Sequence, residues 1–173
     1  MGNFIKPLFA LSPPRILLLG LDGAGKTSIL YKLQINQTIQ TIPTIGFNVE
    51  ELDYNGTKLC MWDLGGQKQV RTLWKHYFSK SQALVFVVDS ADSDRMEECK
   101  EELFSVINDP LLAKAKILIF ANKQDLDEAN KSREKLESFL GLKEIKQVWN
   151  LQLCSAVSGD GLKEGLDWLS KNL

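Results

Sequence analysis

The chain has 173 residues and a formal net charge of -1, with 44% hydrophobic and 25% charged residues. This composition is typical of one soluble globular domain that buries a full core. The charge balance argues against nucleic acid as the main partner, because phosphate backbones select strongly basic surfaces. No apolar run reaches the roughly 18 residues of a membrane span. The cysteines Cys60, Cys99 and Cys154 form no CxxC pair, which indicates reduced thiols in a cytosolic protein.

The chain begins with an apolar segment, residues 1–14, which ends in the adjacent prolines Pro13 and Pro14. Two prolines in a row resist helix and indicate a stiff joint, so we predict one folded domain over residues 15–173. The segment is too short and too weakly basic for a secretory signal. The predicted elements, in chain order, are strand 15–20, helix 25–33, strands 47–54 and 57–62, helix 70–80, strand 83–89, helix 92–108, strand 116–121, helix 131–140, strand 148–154 and helix 161–173.

The alternation of strands and helices predicts the fold class. Continuous apolar runs such as RILLLG and ALVFVVD are typical of parallel strands buried on both faces. Asn55-Gly56 between two strand-like runs indicates a type I′ hairpin. We therefore predict an α/β fold, with a mostly parallel six-stranded sheet, one antiparallel hairpin strand and helices on both faces. Ligands of such sheets bind beyond the carboxyl ends of the strands.

The loop after the first strand, GLDGAGKT, fits the phosphate-loop pattern G-x-x-x-x-G-K-[ST] in full. Its glycines let backbone N–H groups point at phosphate oxygens, and the following helix adds its positive dipole end. Lys26 can reach the β- and γ-phosphates, and the Thr27 hydroxyl can ligate Mg²⁺. The alternative is a chance match in a glycine-rich turn. The candidate phosphate-binding residues are Asp22, Gly23, Ala24, Gly25, Lys26, Thr27 and Ser28.

The sequence Asn122-Lys123-Gln124-Asp125 follows a predicted buried strand and points to guanine. An ionised carboxylate only accepts hydrogen bonds, and guanine presents two adjacent donors where adenine presents none, so Asp125 would select guanine. Lys123 can lie over the base, and Asn122 can tie this loop to the phosphate loop. The alternative is a polar turn. After the last strand, Ser155-Ala156 gives a weaker indication, an Ala156 N–H directed at guanine O6.

Two segments flank the predicted hairpin and have the composition of γ-phosphate sensors. In the first, Thr44 can supply a second hydroxyl to Mg²⁺. In the second, WDLGGQ, Asp63 can hold the water shell of Mg²⁺ and the Gly66 N–H can touch the γ-phosphate. Gln67 can orient an attacking water, since its amide both accepts from water and donates to phosphate oxygen. The alternative is that Thr44 and Gln67 are ordinary loop residues.

The motifs GLDGAGKT, PTIGFNVE, WDLGGQ, NKQD and CSA, in this order and spacing, resemble those of small GTPases of the Arf and Arf-like family. The resemblance covers essentially the whole chain. It implies a P-loop NTPase small G domain over residues 15–173 and a switch between GTP and GDP, with Mg²⁺, in vesicle traffic or a related membrane process. It also implies a monomer whose partners are exchange factors, GTPase-activating proteins, and effector or coat proteins.

The resemblance also implies roles for single residues. Gln67 corresponds to the catalytic glutamine, and Thr27, Thr44 and Asp63 correspond to the magnesium residues, Asp63 through water. The nucleotide-binding set extends to Thr44, Gly66, Asn122, Lys123, Asp125, Ser155 and Ala156. Three aromatic residues correspond to an apolar surface exposed to effectors, and plain core packing is the alternative for them: Phe47, Trp62 and Tyr77.

The hairpin is tethered at both ends to these sensors, so a change in their position could slide it. A side-chain period of two means that only an even-numbered slip keeps the same faces buried. We hypothesise that GTP favours one register and GDP the other, and that the slip displaces the N-terminal segment.

Gly2 follows the initiator Met, as in N-myristoylated members of the family, although Lys6 breaks the general M-G-x-x-x-[ST] pattern. Pro7 disfavours a helix begun well before it. One acyl chain plus a short apolar face would give reversible membrane binding, in a cytoplasmic protein associated peripherally with membranes, the Golgi among them. The apolar face consists of Phe4, Leu8 and Leu11.

Asp22 is unexpected in a phosphate loop, since a carboxylate near the γ-phosphate repels it unless backbone N–H groups or Mg²⁺ bind it. We expect slow unaided hydrolysis. No arginine follows the pattern of a built-in arginine finger, so an activating protein would supply one, with a gain of roughly 10³–10⁵.

Two other functions compete with a GTP hydrolase. A non-hydrolysing, GTP-dependent scaffold or adaptor would recruit effectors without needing Gln67. A P-loop small-molecule kinase needs several arginines around two phosphate groups, whereas the arginines here are scattered and the NKQD sequence would stay unexplained.

Overall fold

The computed structural model describes residues 13–35, 44, 46–55 and 57–173. Predictions that concern residues 1–12, including Gly2 and the apolar face of the N-terminal segment, lie outside this range, as does Gly56 of the hairpin turn. In chain order the elements are β1 (Arg15–Leu19), α1 (Lys26–Ile35), β2 (Phe47–Tyr54), β3 (Thr57–Leu64), α2 (Lys68–Arg71), a 3₁₀ turn (Trp74–Tyr77), β4 (Ala83–Asp89), α3 (Met96–Ile107), a 3₁₀ turn (Pro110–Leu112), β5 (Lys116–Asn122), α4 (Arg133–Phe139), a 3₁₀ turn (Leu142–Glu144), β6 (Trp149–Leu153) and α5 (Leu162–Asn172).

The six strands form one sheet in the order β2-β3-β1-β4-β5-β6. Among the described strands, the β2–β3 pair alone is antiparallel, and the remaining pairs are parallel. The apolar runs of β4 and β5 are buried almost throughout, as expected for central parallel strands. One core cluster packs α3 and α4 on one face of the sheet, and a second packs α1 and α5 on the other. The predicted fold class is confirmed.

The β2–β3 hairpin has the register that the sequence predicts. Tyr54 pairs with Thr57 at the turn, and Asn48 pairs with Asp63 at the other end. Asn55 has φ +51°, in the left-handed region that a type I′ turn requires. The hairpin therefore joins Asp63, on β3, to the sheet edge at β2.

The predicted helix over residues 70–80 is wrong in detail. The structure has a short helix α2 and a separate 3₁₀ turn, linked by i→i+3 bonds such as Leu73 N–H to the Val70 carbonyl. Arg71 and Trp74 both turn inward, where their side chains donate to the carbonyls of Gly66 and Gly65. These bonds to the preceding loop favour tight turns over one continuous helix.

The helix predicted over residues 92–108 begins later, at Met96. Asp92 accepts the backbone N–H of Arg95 and closes a turn before the helix. No helix in the described part of the chain is long and apolar enough to cross a membrane.

Candidate functional site

The predicted phosphate loop connects β1 to α1 at the carboxyl edge of the sheet. Gly25 has φ +97°, and a Cβ there would lie 2.3 Å from the amide nitrogen of Asn122. Only glycine combines this backbone conformation with such a close approach. The loop and the strand end at Asn122 are therefore packed directly against each other.

Lys26 places its ammonium group inside the phosphate loop. The side chain is buried, and Nζ donates to the carbonyls of Gly20 and Leu21 at 2.9 Å each. Burial lowers the pKa of Lys26 to about 8, against the opposing effect of the Asp63 and Asp22 carboxylates. A desolvated cation at this position is well suited to bind anionic phosphate oxygens.

The three predicted magnesium residues converge. The Thr27 hydroxyl donates to Asp63 Oδ2 at 2.5 Å and lies 2.9 Å from the Thr44 hydroxyl, which is 3.3 Å from the same carboxylate oxygen. Burial raises the pKa of Asp63, while hydrogen bonds from Thr27, the charge of Lys26 and the Thr44 bond lower it. The structure thus brings together oxygen donors from α1, β3 and the loop before β2.

These oxygens fit Mg²⁺. Asp63 is fully buried, and its Oδ1 has no hydrogen-bond partner among the described residues. Hard oxygen donors are what Mg²⁺ prefers, and this ion usually takes one or two carboxylates plus phosphates and waters. In the described part of the chain no group of three His, Cys, Asp or Glu side chains forms a separate metal cage. The donors therefore suit an ion that a nucleotide helps to bind.

Gly66 lies against the phosphate loop. Its carbonyl accepts the Asp22 backbone N–H at 3.1 Å. A Cβ on Gly66 would lie 2.4 Å from the Gly20 carbonyl oxygen and 2.5 Å from the Asp22 nitrogen. Gln67 follows at the start of α2, half-buried, with its backbone carbonyl accepting from Val70 and Arg71 N–H groups.

Two arginines that the sequence did not single out contact the same place. Arg95 Nη1 donates to Asp22 Oδ1 at 3.1 Å, and Arg71 Nη2 reaches the same oxygen at 3.5 Å. Asp22 therefore pairs with two side-chain cations that the sequence analysis did not consider for it. Arg95 lies in the loop after the carboxyl end of β4, and loops at this edge of a parallel sheet are where ligands are expected to bind. Arg71 had no comparable indication in the sequence.

The base-binding loops are joined by Asn122, which is buried. Its Nδ2 donates to the Ala24 carbonyl at 2.8 Å, and its Oδ1 accepts the Ala156 N–H at 2.9 Å. The first bond is the tie to the phosphate loop that the sequence suggested. The second occupies the N–H that was expected to donate to guanine O6, so a bond from Ala156 to a base would compete with Asn122.

Asp125 and Lys123 flank a cavity beside this tie. The Ser155 hydroxyl donates to Asp125 Oδ1 at 2.6 Å, and Lys123 Nζ pairs with Asp89 at 2.6 Å. The cavity has a volume of about 240 Å³. Its lining includes Gly25, Ser28, Asn122, Lys123, Asp125 and Ala156. These six belong to the sequence-predicted nucleotide set, whereas Leu126 and Val157, which complete the lining, do not. The cavity lies next to the phosphate loop.

The predicted effector residues form one aromatic cluster. The ring centroids of Phe47, Trp62 and Tyr77 are 5.4–5.8 Å apart. Phe47 is 51% exposed, whereas Trp62 and Tyr77 are partly buried against the core. The Arg15 guanidinium lies 3.9 Å from the Trp62 ring centroid. The cluster thus joins core packing on its inner side with an exposed aromatic ring on its outer side.

A model of the ADP-ribosylation factor family matches residues 3–173. Among solved structures, the chain is similar to the Arl6 BBS3 small GTPase from Trypanosoma brucei, determined with the bound nucleotide analogue GppNp. The two share 28% sequence identity with a TM-score of 0.85, over 92% of this chain and 96% of that chain. The predicted family, its GTP hydrolase activity and its use of GTP, GDP and Mg²⁺ are confirmed. The chain belongs to the ADP-ribosylation factor family of small GTPases.

Proposed function

We propose that this chain acts as a GTP/GDP switch whose GTP form recruits effector or coat proteins to membranes in vesicle trafficking. The observation that supports it most is the cavity of about 240 Å³ between Asn122, Asp125 and Ala156, next to the buried Lys26. An acceptor carboxylate on one side and a desolvated cation on the other match a guanine base joined to phosphates.

Guanine selection rests on Asp125. Its carboxylate accepts hydrogen bonds only, so the two adjacent donors of guanine satisfy it and adenine does not. The Ser155 hydroxyl, which donates to Oδ1 at 2.6 Å, orients the carboxylate. Asn122 keeps the base loop and the phosphate loop at a fixed separation through its bond to Ala24.

Hydrolysis rests on Gln67 and the phosphate loop. The Gln67 amide accepts from a water and donates to a phosphate oxygen, which orients the water in line with the γ-phosphate. Lys26 neutralises charge on the β- and γ-phosphates, and Thr27, Thr44 and Asp63 would hold Mg²⁺. When bound, Mg²⁺ supplies further neutralisation of the charge that develops on the phosphate oxygens. An activating protein would add a catalytic arginine, because Arg71 and Arg95 are bound to Asp22.

Membrane recruitment would use two further parts of the chain. Phe47 offers an exposed aromatic ring next to Trp62 and Tyr77, a surface suited to an apolar side chain of an effector. Residues 1–14, with myristoylation of Gly2, would bind a membrane reversibly. With reversible binding of this kind, the protein would be found in the cytoplasm and on the cytoplasmic face of a membrane. The Golgi is the first compartment to test.

The experiment that tests this function is the Gln67→Leu variant. We expect single-turnover GTP hydrolysis to fall by roughly 10²-fold or more in the presence of an activating protein, because the water loses its orienting group. GTP affinity stays within about threefold, since Gln67 acts on the water. Tagged Gln67→Leu protein should remain on a membrane in cells and retain effectors.

Gln69→Leu is the matched control, because Gln69 is an exposed glutamine two residues further along the chain. It should hydrolyse GTP like the wild type. If the wild-type protein binds GTP but does not hydrolyse it, with or without an activating protein, the chain is a GTP-dependent scaffold and not a switch. A tagged variant found away from every membrane would refute the recruitment step.

A further inference from the structure

Asp22 lies at the centre of an ionic cluster next to the proposed γ-phosphate site. The cluster, called the Asp22 cluster below, consists of Asp22, Gly66, Arg71 and Arg95. The Asp22 side chain is 45% exposed, and both arginines reach its Oδ1. Arg95 also donates from Nη2 to the Asp22 backbone carbonyl at 3.0 Å and from Nε to Asp92 at 2.7 Å. Arg95 therefore holds both the side chain and the backbone of Asp22.

Arg71 connects the same carboxylate to the loop after β3. Its side chain is only 5% exposed, and Nε donates to the Gly66 carbonyl at 2.7 Å. Nη1 donates to Glu98 at 2.7 Å and to Glu102 at 3.1 Å, both on α3. A guanidinium with this many fixed partners is pre-organised rather than mobile. Arg71 thus fixes Gly66 relative to α3.

The Gly66 carbonyl receives hydrogen bonds from two sides. Arg71 donates to it from α2, and the Asp22 backbone N–H donates to it from the phosphate loop. The three bodies that meet here are the phosphate loop, α3 and the segment that contains Gly66 and Gln67. The Asp22 side chain links the phosphate loop to Arg95, which directly precedes α3, and to Arg71 on α2. The Asp22 backbone N–H links the phosphate loop to the segment that contains Gly66.

We propose that Asp22 is a positioning residue which, through Arg95 and Arg71, holds Gly66 against the phosphate loop and so raises the preference for GTP over GDP. This inference rests on the proposed function of the site. Gly66 can contact a γ-phosphate only when it lies at the phosphate loop, and GDP has no γ-phosphate to gain from that position. An arrangement that the protein holds in advance therefore favours the ligand that uses it.

The alternative role for Asp22 is direct repulsion of the γ-phosphate by its charge. The two roles predict opposite signs for Asp22→Asn. Removing a repulsive charge would raise the affinity for GTP, whereas weakening the cluster would lower it. The pairing with two guanidinium groups favours positioning, because these groups neutralise the carboxylate.

The test measures the affinities for GDP and for a non-hydrolysable GTP analogue, both with Mg²⁺, in wild type, Asp22→Asn, Arg95→Gln and the double variant. We expect each single variant to lower the ratio of GTP-analogue affinity to GDP affinity by about 5- to 20-fold. GDP affinity should stay within about threefold of the wild type. The double variant should lose less than the product of the two single fold-losses, since both changes break the Asp22–Arg95 pair.

Arg133→Gln is the matched control, because Arg133 is bound to α4 and β6, away from the cluster. Its affinity ratio should equal that of the wild type. A ratio that rises in Asp22→Asn, or one that stays unchanged in both single variants, overturns the positioning role while the GTP site stands. If Asp22→Asn fails to fold, Arg95→Gln decides in the same way. Wild-type protein that binds neither nucleotide overturns the proposed function, and this inference with it.

Discussion

The two halves of the nucleotide site are built differently. On the base side, Asn122 bonds to protein through both atoms of its amide: it donates to Ala24 and accepts from Ala156. On the γ-phosphate side, Asp63 has a buried oxygen without a protein partner among the described residues, and its other oxygen is shared by two threonine hydroxyls. The loops of the base side are therefore joined by bonds within the protein, whereas the γ-phosphate side leaves a buried acceptor for a ligand.

This difference matches the two tasks of a switch. Base recognition has to be the same for GTP and GDP, so its loops are fixed by bonds within the protein. Detection of the γ-phosphate needs segments with two arrangements of similar free energy. The Thr44 hydroxyl contacts Thr27 and Asp63, and the Gly66 carbonyl accepts from the Asp22 N–H and from Arg71. A second arrangement of these segments would have to replace these few bonds.

The largest expected effect is on the base side, from Asp125→Asn. The carboxamide loses charge-assisted acceptance of both guanine donors, so GTP affinity should fall by roughly 10²–10⁴-fold. Because the new amide can donate to the second carbonyl of xanthine, the variant should bind xanthosine triphosphate more tightly than GTP. Competition binding with the two nucleotides measures both changes.

The control for this variant is Asp127→Asn, which neutralises another exposed carboxylate of the same loop. It should leave both affinities near their wild-type values. A variant Asp125→Asn that keeps GTP affinity within tenfold would show that the base side is not the fixed, guanine-selecting half.

A smaller effect is expected on the γ-phosphate side, from Gly66→Ala. The added Cβ would meet backbone atoms of Gly20 and Asp22 at 2.4–2.5 Å, so the segment must leave the phosphate loop. GTP-analogue affinity should fall by roughly 10- to 100-fold, with GDP affinity largely retained. Calorimetric titration with each nucleotide measures the split.

Gly46→Ala is the control that distinguishes the steric clash of Gly66→Ala from the effect of replacing any glycine in these loops. A Cβ at Gly46 meets nothing within 4 Å, although its φ of +84° strains an alanine by roughly 1 kcal/mol. This variant should lose some stability and keep its nucleotide preference. Equal losses of GTP and GDP affinity in Gly66→Ala would contradict a γ-phosphate role for this segment.

Local chemistry in the sequence predicted most of the fold and the base side of the site. The apolar runs of β1, β4 and β5, the Asn55-Gly56 turn and the phosphate-loop pattern each fix structure over a few neighbouring residues. The sequence predicted that Asn122 ties its loop to the phosphate loop, and its side chain donates to the Ala24 carbonyl in that loop.

The Asp22 cluster could not be predicted because its members are distant in sequence. Arg71 and Arg95 approach Asp22 only after α2 and α3 pack against the sheet. The same long-range contacts explain the error over residues 70–80, where bonds from Arg71 and Trp74 to the Gly66 and Gly65 carbonyls replaced the expected helix. Periodicity describes which face of a segment is apolar, and it does not report polar side chains that turn inward.

The far end of the hairpin offers the finest test of the γ-phosphate side. The Tyr54 hydroxyl donates to Asp167 at 2.6 Å and lies 3.1 Å from the Lys163 carbonyl. Burial and the Asp167 bond raise the pKa of Tyr54 to about 12, so the donor stays protonated at physiological pH. A slip of β2 by two residues would carry Tyr54 away from α5 and break both contacts.

Tyr54→Phe should therefore weaken the described register and leave the slipped one unchanged. A neutral or charge-assisted bond of this kind contributes roughly 1 kcal/mol, which limits the change in the GTP to GDP affinity ratio to about fivefold. We expect the ratio to fall, because the described register holds Thr44 and Gly66 at the phosphate loop. Lys163→Gln is the control, since it removes a charged partner of Asp167 on the same helix and leaves the backbone carbonyl that contacts Tyr54 in place. An unchanged ratio in Tyr54→Phe, together with a loss of stability in urea, would mean that the hairpin keeps one register with both nucleotides.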